Sequence, residues 1–516
     1  MEPTVNNRLN SLLTANLRFI GSRNGVVIVT TALVTWCWFL RSTIFPGIAP
    51  DDAEQLIFSQ SLELGYSTGN PPLITWLLIL LQKIFGVSAI VFLSLKFLLL
   101  WSTYYLVYCC AERVLGKESL AALATLSLCA VYYIVWDSVF NYSNSLLMIV
   151  FIAATFLSLL HLEKTGSITN YIVLGLLLGF GCLAKYTYLL FAVPLLIAAA
   201  LDQSLRSRIL NRIFLLTIVI AIMVNLPHII WMIENIALLE ARAIDRFSQG
   251  GSETFFKSRL LGSLQVARIL FDISMPMLGI LIITFWPACR RVKWGLDPVQ
   301  RYHNILGRTF LIAITVTLLG TLILGISRIR SHYMLVLLLF PILFFARVKV
   351  SKIELWRIKA YAVVLTSIIL FVITGLGLKY VIDPKRDSKA YCNIPYDAYA
   401  EQLKSAGFEH GTIFADWHTN PIAGNFRAKF PDSRVIDYLW AHYLPPRDRV
   451  DGKCLVIWTP RKDGSRRKEF LNQANLLLKA NINLNTPAKF VVAEMPPGGR
   501  TARLAYVLAP GNGKCR

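Results

Sequence analysis

Charge is scarce in this chain. Of its 516 residues only 16% are Asp, Glu, Lys or Arg, where a soluble protein carries about a quarter. Hydrophobic residues make up 55% and the mean hydropathy is +0.55. Motifs are missing as well. No Walker A loop and no GxGxxG after a strand supports binding of a cytosolic nucleotide. No HExxH and no paired Cys/His set provides for zinc. No GxSxG elbow marks an acyl-transfer serine. The 9 cysteines include no CxxC pair. The net charge of +22 comes without a zinc finger, helix-turn-helix or RNA-binding motif. It is therefore read as basic loops that fix membrane topology and attract anionic lipid, not as a nucleic-acid surface.

Long apolar runs are what the chain has in abundance. They recur from Gly25 to about Leu378, at lengths that suit helices crossing a bilayer. Spans are predicted at 25–44, 87–111, 119–136, 143–162, 170–184, 187–201, 213–231, 264–286, 309–326, 332–347 and 359–378. The run 71–86, "PPLITWLLILLQKIFG", is short and opens on two prolines. Placing it at the interface puts Arg8, Arg18 and Arg23, then Arg206 to Arg212, Arg290 to Arg308 and Arg347 to Lys359 on the cytoplasmic side. If it spans, the later basic loops move outside, against the positive-inside rule. The expected architecture is an all-α polytopic membrane domain, residues 1–378, with about eleven spans plus interfacial helices. The first span is read as retained, because no small-residue cleavage site follows the N-terminal segment.

The tail, 379–516, reads differently. "DAYAEQLKSAG" is an amphipathic helix with a Gly stop. "GTIFADW", "CLVIWTP", "KFVVAEMP" and "RLAYVLAP" read as short buried strands. A small periplasmic α/β domain is expected. Cys392, Cys454 and Cys515 all lie in it, allowing one disulfide and one leftover thiol, with the pairing open.

Function is sought where charge interrupts apolar sequence. "PGIAPDDAEQLIFSQSLELGYSTGNPPLITW" at 46–76 sets Asp51, Asp52 and Glu54 between two apolar segments. The stretch from Pro50 to Tyr66 is read as an amphipathic helix. An acid there could simply cap the helix and complement its dipole, or act as a general base at the membrane surface. Other outward turns carry "WDSVFNYSNS" with Asp137 and Asn144, "LAKYTY" with Lys185 and Tyr186, and "SRIRSHYM" with Arg328, Arg330, His332 and Tyr333. Snorkelling or anchoring at the interface would account for each cation singly. Acids and cations gathered on one face suit transfer from a lipid-linked phosphate. A carboxylate takes a proton from an acceptor hydroxyl, and Lys and Arg hold the departing phosphate.

In order along the chain, Asp51–Asp52, Gly65–Tyr66, Pro71–Pro72, the Lys185–Tyr186 turn and Pro227, Trp231 and Asn235 form a pattern. It resembles the GT-C membrane glycosyltransferases. The resemblance is to the bacterial dolichyl-phosphate-mannose-protein mannosyltransferase-like group, and to the aminoarabinose and galacturonic acid transferases of lipid A and lipopolysaccharide core. It covers roughly residues 25–350. It implies a polyprenyl-phosphate sugar as donor and a cell-envelope lipid or glycan as acceptor, with inverting transfer at the periplasmic face of a bacterial inner membrane. By carry-over Asp51 is the catalytic carboxylate, with Asp52 and Asp137 secondary. Lys185 and Arg330 contact phosphate. Glu54, Tyr66, Asn144, Tyr186, Arg328, His332 and Tyr333 complete the expected substrate site. Asp52 stands where the family usually has Glu, and Asn144 stands where it usually has a second Asp. No cofactor and no dedicated metal site are expected, although a divalent ion would be compatible with the acids. The alternatives are O-glycosylation of protein, and a transporter or flippase of lipid-linked sugar. The absence of an internal repeat and the one-sided charges weigh against the transporter.

The topology is directly checkable. A reporter enzyme that works only outside the cytoplasm, fused after Lys379, is expected to be active; cytoplasmic activity at that junction would reverse the side of every loop.

Overall fold

The computed structural model describes residues 2–240, 255–290, 292, 301–324, 330–348, 353–386, 390–416, 421–447, 450–460, 466–498 and 500–515. Arg328 lies outside them. The chain is mostly helical up to Arg386. Among the described residues six helices are long and apolar enough to cross a membrane: Arg23–Ile44, Ala89–Leu115, Ser143–Thr165, Phe214–Glu234, Tyr302–Ile323 and Leu355–Arg386. Three bent helix pairs raise the number to as many as 9 if each is one span. One of them, Glu118–Ala130 with Tyr133–Phe140, bends by 72°. All eleven expected segments contain helix. The segment 332–347 is a 3-10 helix, Ser331–Leu337, followed by a short α-helix, Phe340–Arg347.

The run that decides the topology forms a helix of 13 residues, Leu73–Phe85. At 1.5 Å per residue it is about 20 Å long, short of a hydrocarbon core of about 30 Å. Elsewhere small residues let helices approach closely. Gly175 and Gly179 of Ile168–Ala184 face Phe214–Glu234, where Asn225 donates to the Gly179 carbonyl at 3.0 Å and Thr217 to the Tyr171 carbonyl at 2.9 Å. These bonds join two apolar helices through backbone oxygens, as close packing in lipid permits.

Beyond the last long helix lies a five-stranded sheet: β1 Gly411–Ala415, β2 Arg434–Asp437, β3 Lys453–Trp458, β4 Lys489–Met495 and β5 Arg500–Ala509. The order is β2-β1-β3-β5-β4. The first three strands are parallel, and β5 runs antiparallel to both β3 and β4. The four strands expected from sequence are present. β2 is additional; its four residues open on Arg434, too short and too polar at the start to stand out. The helix Tyr396–Ser405 precedes β1, and the chain leaves it through Gly407 at φ 90°, a conformation that suits glycine. Cys454 on β3 is bonded to Cys515, with their Cα atoms 5.3 Å apart, and Cys392 is a buried free thiol.

Two hydrophobic cores flank the sheet. One of them continues into the acid-bearing stretch: Ile57, Phe58 and Tyr66 pack with Tyr396, Phe426, Val435 and Tyr443. The C-terminal domain is therefore seated directly on residues 46–66.

The disulfide links cysteines 61 residues apart, for which chain entropy gives a stabilisation of about 4 kcal/mol. Cys515→Ser is expected to lower the unfolding temperature of the C-terminal domain. Alkylation under native conditions is expected to leave Cys454, Cys515 and Cys392 unlabelled in the parent chain.

Candidate active site

The acids stand on a helix shorter than the sequence pattern implied. It runs Pro50–Phe58 and stops at Ser59, and the chain then turns away toward the C-terminal domain. Pro50 opens it, since proline's fixed φ and missing N–H suit the first turn. Ala49 is the N-cap residue and supplies no side-chain cap. Asp51 and Asp52 lie in the first turn, where the helix dipole favours negative charge. Neither acid serves as the cap.

Adjacent on the helix, they meet opposite environments. Asp52 is fully buried. Both its oxygens accept from Lys96 Nζ at 2.8 Å, and Oδ1 also accepts from Ser143 Oγ at 2.5 Å. Lys96 is itself 0% exposed, two turns inside the span Ala89–Leu115. Such a pair is tolerated only because each charge meets the other and the remaining bonds are made. Asp51 is half-buried, and Oδ2 accepts from the Tyr142 backbone N–H at 2.9 Å. Among the described residues it forms no ion pair.

Tyr142 takes a left-handed φ of 64°, costly for a bulky side chain, immediately before the helix Ser143–Thr165. That conformation aims its N–H at Asp51, while its ring lies 4.6 Å from that of His332. His332 contacts Tyr333 at 4.8 Å, and Lys185 Nζ sits 5.8 Å from the centre of the Tyr333 ring. Lys185 Nζ also donates to Ser145 Oγ at 2.5 Å, two residues from the serine that holds Asp52. A closed circuit of contacts thus gathers Asp51, Asp52, Lys185, His332 and Tyr333. Asp137 ends the turn Tyr133–Asp137, with Asn141 and Tyr142 facing its carboxyl and Asp51 close enough to repel it. Asn144 is buried between the two serines, and its Oδ1 has no hydrogen-bond partner among the described residues. Glu54 is buried on the acid helix.

Breaks in the helices place the cations. Ile168–Ala184 stops, Lys185 is extended, and a 3-10 turn Tyr186–Tyr188 restarts the chain. Arg330 is exposed at the start of Ser331–Leu337. Tyr186 and Tyr66 are turned to other work. The Tyr186 hydroxyl donates to His228 Nε2 at 2.8 Å, and His228 Nδ1 donates to the Leu64 carbonyl at 2.9 Å. Trp231 lies flat over Gly65, where a Cβ would come within 2.3 Å of the indole. Only glycine admits that approach, so the Gly65–Tyr66 and Trp231 signatures meet in one contact. Tyr66 is buried, its hydroxyl donating to the Ser61 carbonyl at 2.8 Å and its ring stacked on Phe58.

Four residues were not foreseen: Lys96, Arg41, Ser143 and Lys379. Arg41 is 1% exposed, donates to the Gly47 carbonyl at 3.2 Å, and lies between Phe45 and Phe140 at 5.3 and 5.1 Å from the ring centres. Lys379 Nζ faces the same Phe140 ring at 5.1 Å. The signal for Lys96 was present: a charge two turns inside a long apolar helix, far from the Glu112 and Arg113 at its other end, demands a partner. Among the described residues no three His, Cys, Asp or Glu side chains converge as metal ligands.

A sequence profile of the family described as dolichyl-phosphate-mannose-protein mannosyltransferase matches residues 69–231. Curated relatives include two lipopolysaccharide core galacturonosyltransferases of Rhizobium johnstonii. RgtB is 24% identical over 86% of this chain and 88% of its own length, and RgtA is 24% identical over 90% and 95%. A lipid A galacturonosyltransferase of the same organism, RgtD, is 28% identical over 41% of the chain and 44% of its own. The crystal structure of ArnT from Cupriavidus metallidurans bound to undecaprenyl phosphate superposes with a TM-score of 0.57, covering 94% of this chain and 98% of that one at 12% identity. Its apo form matches equally, at 0.57. The helical membrane unit and the C-terminal sheet together share the GT-C fold of ArnT, and in sequence the chain is similar to bacterial galacturonosyltransferases of lipopolysaccharide core and lipid A.

Proposed function

We propose that the chain transfers a sugar from a polyprenyl-phosphate donor to a hydroxyl or phosphate of a lipopolysaccharide-type glycolipid, at the periplasmic face of the inner membrane. The observation that carries this reading is the unlike fate of two neighbouring carboxylates. Asp52 is locked to Lys96 and is structural. Asp51 keeps an oxygen outside any ion pair and is available for chemistry. Environments that drive adjacent acids apart are how sites assign them different roles.

With a hydroxyl acceptor, Asp51 takes the proton as the acceptor oxygen bonds to the anomeric carbon. The bond from that carbon to the phosphate oxygen breaks, and the phosphate leaves with the electron pair. Lys185 and Arg330 stabilise the charge that accumulates on it. Attack from the face opposite the leaving group inverts the anomeric centre. Asn144 Oδ1 is an acceptor for a sugar or glycan hydroxyl. The periplasmic side is supported by the charge bias of the loops and by the Cys454–Cys515 disulfide, a bond that persists in oxidising compartments. The names of the relatives make galacturonic acid the first sugar to test.

Asp51→Asn is expected to abolish one sugar increment in the mass spectrum of extracted envelope glycolipids, as deletion does, at equal expression; loss of a general base typically costs about 10²–10⁴-fold in rate. Glycolipids identical to wild type in Asp51→Asn, but altered by the deletion, would overturn the assignment. Asp52→Asn and Lys96→Met are each expected to destabilise the membrane unit by about 3–5 kcal/mol, because each leaves a buried charge alone. The double variant is expected to recover most of that loss in thermal unfolding in detergent. Additive losses would show that the pair is not coupled.

A further inference from the structure

The acid helix has nine residues. A helix that short does not hold itself in water, so its direction is set by what grips its ends. Its first turn is tied to the membrane unit through Asp51 and Asp52, and two further grips, one flanking each end, come from the C-terminal domain.

At the N-terminal end the grip is Asn425, 3% exposed on the helix Ile422–Lys429. Its Oδ1 accepts from the Ile48 N–H at 2.9 Å and its Nδ2 donates to the Ile48 carbonyl at 3.2 Å. The amide thus pairs with both backbone groups of one residue, three positions before Asp51. Nδ2 donates as well to the Pro421 carbonyl at 2.7 Å, which fixes the side chain on its own helix. Next to it, Gly47 N–H donates to the Cys392 carbonyl at 2.9 Å. Gly424 lets the two helices cross in contact, since a Cβ there would lie 2.1 Å from the Ala53 carbonyl oxygen. At the far end Gln60 repeats the device on β2. It accepts from the Val435 N–H at 2.7 Å and donates to the Val435 carbonyl at 2.8 Å. Tyr443 donates to the Phe58 carbonyl at 3.1 Å.

We propose that Asn425 is a positioning residue for the transfer reaction: by clamping Ile48 it sets the height and direction of the first helical turn, and so the location of Asp51. The C-terminal domain is then a part of the active site and not an appended module. The inference rests on the reading of Asp51 as the proton acceptor. Asn425 touches no reacting atom. Its effect runs through about one ångström of backbone placement, a displacement that can cost about a hundred-fold in rate.

The test uses the full chain in membranes, titrated with an undecaprenyl-phosphate-linked sugar. Glycolipid product is measured for Asn425→Ala, Asn425→Asp, Gln402→Ala and Asp51→Asn. Gln402 makes the same two-bond amide clamp, on Val492 within the C-terminal domain, away from the acid helix. Asn425→Ala is expected to lower the maximal rate by about ten- to a hundred-fold, with the half-saturating donor concentration and the unfolding temperature close to those of Gln402→Ala. Asn425→Asp keeps the acceptor for Ile48 and is expected to recover part of the rate. Hydrogen exchange of the peptide that contains Ile48 is expected to quicken in Asn425→Ala alone. A wild-type maximal rate in Asn425→Ala, or a loss that Gln402→Ala shares, would overturn the positioning role. A wild-type rate in Asp51→Asn would instead remove the reading beneath it, while the exchange of Ile48 still reports whether Asn425 holds the backbone.

Discussion

A lysine ammonium buried two turns inside an apolar span, joined to a carboxylate from outside it, is the contact on which the rest of this architecture depends. Lys96 has no water to turn to, and Asp52 is the charge that makes its position tolerable. The cost of desolvating two ions is met only in one geometry, so the pair fixes where the helix Pro50–Phe58 meets the membrane unit. Ser143 adds a third point and ties the same carboxylate to the start of another span. Once Asp52 is anchored, its neighbour must project to a different side of the helix. Asp51 therefore faces Tyr142 and the circuit of His332, Tyr333 and Lys185.

The site is held from two directions of unlike chemistry. From the membrane side the grip is ionic and buried. From the C-terminal domain it is a set of neutral amide and backbone bonds, with aromatic rings packed around them. The first is strong and unforgiving of a lost partner. The second is spread over several contacts, each modest, and it resists rotation because its bonds lie at both ends of the helix. On the proposed reading of Asp51 as proton acceptor, its carboxylate needs both a fixed origin and a fixed direction, and here the two are supplied separately.

Much of this was legible in order. Acids between apolar runs pointed to residues 46–66, and breaks in apolar sequence pointed to Lys185 and to the His332–Tyr333 turn; the structure brings these into one circuit. The length of the acid helix was not legible, because the chain leaves it at Ser59 for partners more than 370 residues away. Tyr66 and Tyr186 looked like ligands for substrate, yet their hydroxyls are engaged inside the loop and on His228. Sequence spacing cannot tell a tyrosine that faces a site from one that fastens a loop beside it. Lys96 was missed for a different reason. A lone charge inside a long apolar run was absorbed into the span, although its position away from either end left snorkelling unable to explain it.

The seat of Gln60 on β2 has a consequence for how the molecule survives its own synthesis. β2 is an edge strand, and the backbone groups of Val435 that point away from β1 are the ones Gln60 covers. An uncovered edge is a template for pairing with another chain. The protector is made first and lies at the membrane surface, while the strand emerges hundreds of residues later. Docking of the acid segment thus occupies backbone groups on the sheet edge that would otherwise be open to another chain.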